Sequence, residues 1–123
     1  MRLRLIFNSQ FPEINRKGLA KVIKDICKQQ GFSKDAEMSV NIVGDQEMKK
    51  LNHRYMKQLG VTDVLSFPLD KETGPDGIIR LGDVVICSPQ AKRQAKRKGI
   101  KVNEEVENLI EHGVLHLLGI HYR

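Results

Sequence analysis

Hydrophobic and polar residues alternate over residues 2–7, which predicts a strand, and then switch to a helical period. Over residues 14–30, Leu19, Val22, Ile23 and Ile26 fall on one helical face, and Gly31 supplies the stop. Met38, Val40 and Ile42 alternate again as a second strand. Beyond Gly44, Asp45 is placed to cap a short helix on which Met48, Leu51 and Tyr55 share a face. Residues 64–67 read as a short strand ended by Pro68, and residues 71–77, with Gly, Pro and Asp, as a turn or mobile loop. The longest β-branched run, residues 78–87, predicts a central strand. Ser88 is the expected cap of the next helix, with Pro89 in its first turn. Asn103 is the expected cap of the last, where Glu104 and Glu105 suit the positive end of the dipole. Val106, Leu109, Ile110, Val114 and Leu117 give that helix a broad apolar face.

The order β-α-β-α-β-β-α-α, without repeats or a linker, predicts one α+β domain over residues 1–123. Helices would cover a mixed sheet of about four strands. A chain of 123 residues is long enough for a single core. It has no apolar run of membrane-spanning length, and its first residues are too short for a signal peptide, so no membrane role is expected. Cys27 and Cys87 are isolated, which suggests neither a disulfide framework nor a thiolate metal site and makes a reducing cytoplasm the expected location.

Charge changes the picture more. The net charge is +6, and six basic residues (Lys92, Arg93, Lys96, Arg97, Lys98, Lys101) occupy ten consecutive positions with no acid among them. Such density attracts a polyanion through counterion release. A second basic group, from Arg16 to Lys28, reads as a solvated helix face. Aromatic residues are 5% of the chain and Trp is absent, which does not indicate sequence-specific reading of bases.

The residues richest in chemistry lie near the end of the sequence. Three of the four histidines, His112, His116 and His121, fall between Glu111 and Arg123. His112 and His116 are four apart in a helix-forming run, so both rings share one face a turn apart. Gly119 can end the helix in a left-handed conformation, with His121 just beyond. Two His on a helix and a third after a glycine turn make an open three-nitrogen site, the pattern of catalytic zinc. A zinc protease would carry Glu directly after the first His as its general base, but Gly113 stands there.

Three segments together resemble one family. His112-Gly-Val-Leu-His116-Leu-Leu-Gly119 resembles the H-G-x-L-H-L-x-G core of the YbeY family of rRNA-maturation endoribonucleases. Leu51-Asn52…Tyr55 leading to Thr62-Asp-Val-Leu-Ser-Phe-Pro68 resembles its other signature, and Leu81-Gly-Asp-Val-Val-Ile86 its following strand. The resemblance implies an α+β fold and one zinc ion held on the C-terminal helix by His112, His116 and His121. It further implies single-strand-specific cleavage of RNA in 16S rRNA 3′-end maturation and ribosome quality control, with the rRNA precursor and the ribosome or small-subunit proteins as partners.

The sequence departs from the family at three places. The family continues after the glycine as aromatic-Asp-His, whereas Ile120, His121 and Tyr122 stand here, so His121 arrives one residue early. Tyr122 is the alternative third ligand. Met56 stands where the family carries Arg, and the chain stops at Arg123, where members usually continue into another helix.

Asp83 and Asp63 are the candidate carboxylates for orienting a ligating histidine, set against plain strand-edge and cap roles. His112, His116 and Asp83 form the expected catalytic group. Arg54, Lys57, Ser66 and Arg80 are candidate substrate contacts, with solvated charge or a buried strand serine as the plainer reading. His53 reads as a surface residue. Two functions of different class follow: a zinc-dependent endoribonuclease, or an RNA- or ribosome-binding protein of the same fold with a weakened metal site.

Overall fold

A computed structural model of the chain describes residues 1–70 and 73–120. Eight elements follow in the predicted order: β1 (Leu3–Ser9), α1 (Arg16–Gln29), β2 (Ala36–Val43), α2 (Asp45–Met56), β3 (Val64–Pro68), β4 (Ile79–Cys87), α3 (Ser88–Lys98) and α4 (Val102–Leu117). The strands form one mixed sheet in the order β1-β2-β4-β3. β1 and β2 are parallel, joined by α1 as a parallel pair requires, and β2 and β4 are parallel as well. β3 runs antiparallel to β4 at the sheet edge.

Side-chain alternation divides the sheet into two faces. Leu5, Met38, Val40, Ile42, Val84 and Ile86 point into the main core with Ile23 of α1 and Ile110, Val114 and Leu117 of α4. On the other face, Met48 of α2 closes a smaller cluster with Leu65, Val85 and Cys87. The rest of that second face carries exposed Ile6 and a run of polar residues. Asn8 donates to Asn41 at 3.0 Å, Asn41 donates to Ser39, and Ser39 Oγ donates to Asp83.

One irregularity decides which residues face which way. Glu37 pairs with Arg80 and Met38 with Gly82, so Leu81 is an extra residue in β4. Ile79 and Leu81 join the main core ahead of this bulge; Val84 and Ile86 join it beyond. Unbroken alternation from Leu81 would have turned Asp83 towards the main core; the bulge sends it to the opposite face. Gly82 has φ +132°, and a Cβ there would stand 2.2 Å from the Phe67 carbonyl oxygen.

Three helix starts differ by a residue or two from the expected caps. The caps are Gly44, Cys87 and Lys101, each extended and without a side-chain hydrogen bond to the helix. Asp45 turns instead to Arg93, accepting from both terminal guanidinium nitrogens at 2.8 and 3.1 Å, and that cation holds its carboxyl below the usual carboxylate range. Asn103 lies inside the first turn of α4. At the other ends, Gly31 and Gly119 take the left-handed conformation expected of helix stops, with φ of 74° and 83°.

Ser88 is fully buried, and its hydroxyl has no hydrogen-bond partner among the described residues. A buried hydroxyl without a partner costs free energy that a methyl group does not. Ser88→Ala is therefore expected to stabilise the protein by about 1 kcal/mol in urea unfolding. A loss of similar size would mean that the hydroxyl has a bound partner in solution.

Candidate active site

The site is built where α4 crosses β4 and β3. Gly113 is what lets the helix lie so close, since a Cβ there would stand 2.8 Å from Val84 Cγ1. That approach brings His116, half-buried, to the edge strand, where its Nδ1 shares a hydrogen bond with Ser66 Oγ. His112, one turn earlier, is exposed. It lines a cleft of about 420 Å³ with Asp63, Gln94, Asn108 and Glu111.

The wall of this cleft is fixed by a carboxylate that water does not reach. Glu105 is fully buried at the α3–α4 contact, accepting from Lys98 at 2.8 Å, Gln94 at 2.7 Å and Asn108 at 3.2 Å. Burial works to raise its pKa, but the donors from Lys98, Gln94 and Asn108 outweigh it and hold the carboxyl below the ordinary value. The sequence reading gave Glu105 to the helix dipole and missed this cluster. The available signal was a carboxylate within the apolar stripe that Val106, Leu109 and Ile110 define.

The structure brings some expected residues together and separates others. His112 and His116 share one face of α4, and Ser66 meets a histidine rather than open solvent. Asp63 lies beside the His112 cleft, with Oδ1 accepting from the Val64 amide at 2.7 Å. Asp83 is not brought to the histidines: the bulge turns it to the far face, where it is paired with Ser39. Arg80, expected as a phosphate contact, is held by Glu37 at 3.2 Å and Asp76 at 3.1 Å. Arg54 and Lys57 are exposed at the C-terminal end of α2, which packs against the far face. His53 is exposed, as expected. His121 and Tyr122 lie outside the described residues, among which no group of three His, Cys, Asp or Glu gathers as a ligand set.

The basic run on α3 is partly neutralised. Lys92 pairs with Glu13 at 2.9 Å, Arg93 with Asp45 and Lys98 with Glu105. Lys96, Arg97 and Lys101 have no carboxylate partner among the described residues and remain for an external anion. No helix among the described residues is long and apolar enough to cross a membrane.

Comparison with known proteins bears on the same residues. "Endoribonuclease YbeY" of Aquifex aeolicus is 51% identical over 85 residues, covering 69% of this chain and 55% of that protein. The protein of the same name from Dehalococcoides mccartyi (strain CBDB1) is 36% identical over 132 aligned positions, covering 97% of this chain and 80% of its own length. The chain thus spans little more than half the length of the Aquifex relative. The solution structure of TM1509 from Thermotoga maritima matches with a TM-score of 0.64 at 25% identity, over 98% of this chain and 75% of that one. The family model described as Endoribonuclease YbeY matches residues 6–122, which takes in the Ser66 strand, the Gly82 bulge and both histidines of α4. On that match this chain belongs to the YbeY endoribonuclease family.

Proposed function

We propose that the protein is a zinc-dependent endoribonuclease that cuts single-stranded RNA, acting in the cytoplasm on the 3′ end of the 16S rRNA precursor and in ribosome quality control. The observation that carries this reading is the pair His112 and His116, one turn apart on α4, with His116 anchored through Nδ1 to Ser66. Such an anchor is what a metal-binding imidazole uses to fix its tautomer and orientation. The donor set fits zinc: two histidine nitrogens on a rigid helix, with His121 as the third and Tyr122 as the alternative.

The chain's own groups divide the remaining work. His112 and His116 would hold the ion through ring nitrogens, and the Ser66 hydroxyl bonded to Nδ1 would fix the orientation of the His116 ring. Lys96, Arg97 and Lys101 draw the phosphate backbone towards the α3–α4 side. Asp63, which lines the same cleft as His112, is the proposed carboxylate for orienting that ring. When bound, zinc supplies positive charge against the charge that develops on the scissile phosphate. The ribosome or small-subunit proteins are the proposed partners in the cell.

One observation favours a second reading. Met56, half-exposed at the end of α2, offers no charge where the family carries Arg, as an RNA- or ribosome-binding protein with a weakened site would.

Metal content and cleavage, measured together, separate the two. Elemental mass spectrometry on purified protein is expected to give about one zinc per chain, lost in the His112→Ala, His116→Ala double variant. Cleavage of single-stranded RNA should fall to background in that variant while RNA affinity largely survives. A double variant that cleaves like the parent ends the zinc-nuclease reading. A parent that binds RNA without cutting it establishes the second.

A further inference from the structure

The proposed nuclease site leaves a second cleft unused, on the sheet face away from α4. It has a volume of about 470 Å³ and lies between α2 and the strands. Tyr55, Leu51 and Phe67 supply its apolar walls; Asn41, Asp83 and Glu47 supply its polar groups. The Tyr55 and Phe67 rings meet edge to face at 5.2 Å, and the Arg54 guanidinium lies 5.3 Å from the Tyr55 ring centre. Tyr55 is nevertheless 51% exposed, so much of its ring is accessible from the cleft even with Arg54 lying over it.

The polar groups indicate what that partner must present. An ionised carboxylate only accepts hydrogen bonds. One oxygen of Asp83 is taken by Ser39, itself held by Asn41, which bonds Asn8 in turn, so the carboxylate is fixed in direction. Glu47 has no ion-pair partner among the described residues. The occupant should therefore be flat, stack on an aromatic ring and carry neighbouring N–H donors. Guanine presents two adjacent donors, N1–H and the N2 amino group. Adenine and cytosine set a donor beside an acceptor, and uracil flanks its single donor with acceptors. Exposed Arg54 and Lys57, with no carboxylate partner among the described residues, are cations for the attached phosphates.

Strand β3 links this cleft to the histidines. Ser66 faces α4 and bonds His116, while its neighbour Phe67 faces α2 and meets the Tyr55 ring edge to face. β3 is an edge strand, so a chain passing over that edge can meet both faces. We propose that the cleft holds an unpaired guanine of a single-stranded RNA, stacked on Tyr55 with its N–H edge on Asp83 and Glu47. The inference rests on the reading of RNA as ligand; stacking and edge recognition of splayed bases are the usual way proteins read single strands.

Direct nucleotide binding tests it independently of cleavage. Guanosine 5′-monophosphate and uridine 5′-monophosphate would be titrated into the zinc-loaded full chain, followed by amide NMR. The guanosine nucleotide should shift the amides of Asn41, Phe67 and Val85 saturably, and the uridine nucleotide much less. Tyr55→Ala should weaken binding about tenfold, while Tyr55→Phe keeps it. Glu47→Gln should narrow the preference for guanosine. The same spectra report whether each variant is folded. No saturable shift in the cleft, equal binding of the two nucleotides, or unchanged affinity in folded Tyr55→Ala overturns the proposal. Guanosine binding without RNA cleavage would sink the nuclease reading and leave the cleft assignment standing; cleavage with an unresponsive cleft would do the reverse.

Discussion

Gly82→Ala should cost roughly 3–5 kcal/mol of folding stability, because two independent penalties meet at one carbon. At φ +132° the backbone is in a region that residues with a Cβ rarely adopt, and the new methyl would stand 2.2 Å from the Phe67 carbonyl oxygen. Relieving that overlap means prising β3 from β4 where Pro68 faces Gly82 and the Leu69 amide donates to the Leu81 carbonyl. Gly99→Ala separates the two penalties. Gly99 also has positive φ, 71°, but nothing lies within 4 Å of its added Cβ, so that variant should lose only about 1–2 kcal/mol. For a chain of this size the Gly82 variant should melt about 10–20 °C lower. Equal losses for the two variants in thermal unfolding would remove the steric argument. Because Ser66 and Phe67 lie on the displaced strand, the Ser66–His116 bond should weaken with it.

Lys98→Met should cost about 2–3 kcal/mol at pH 7, less than a fully enclosed pair because the ammonium is half-exposed. The methionine keeps much of the apolar stem but leaves the buried Glu105 carboxylate with only Gln94 and Asn108. The sign of the pH dependence follows from the two states. In the parent, the Glu105 pKa is below its ordinary value of 4.5, so its stabilising contribution is complete above that value and is lost as pH falls through the lowered one. Without Lys98, the carboxylate loses its foremost pKa-lowering donor, so its folded-state pKa rises relative to the parent's. Acid then costs the variant less than the parent, and its deficit relative to the parent should shrink as pH is lowered from 7 to below 4.5. Urea unfolding of both proteins across that range reads the difference directly. A deficit that is constant with pH would show that it arises from packing rather than charge.

Periodicity located most of the elements, because each buries a face of its own, while the β-branched run marked β4 and Ser88-Pro89 marked the start of the basic helix α3. The helix starts were less legible. Asp45, Ser88 and Asn103 have side chains suited to capping, yet a cap is a backbone conformation, and tertiary demands took two of the three: Arg93 holds Asp45, and the core encloses Ser88. In the site, the four-residue spacing of His112 and His116 was legible because one helix supplies both. The Ser66–His116 bond joins residues fifty positions apart and left no local trace. Asp83 shows how one backbone feature defeats a correct strand assignment. The strand is where it was expected, but a single extra residue exchanges the faces beyond it. The glycine inside a β-branched run was the only warning.

The strand order carries a consequence for how the chain is made. β4 is the last strand among the described residues, yet it lies between β2 and β3, so neither of those has its partner on that side until residue 87 has been synthesised. A nascent chain that ends before β4 can pair only β1 with β2, leaving one edge of β2 bare and the β3 segment without a sheet to join. α4, which covers the main core, follows later still. Ribosome-bound chains therefore hold their apolar face open until α4 has been made, the interval in which chaperone contact and mispairing compete with folding.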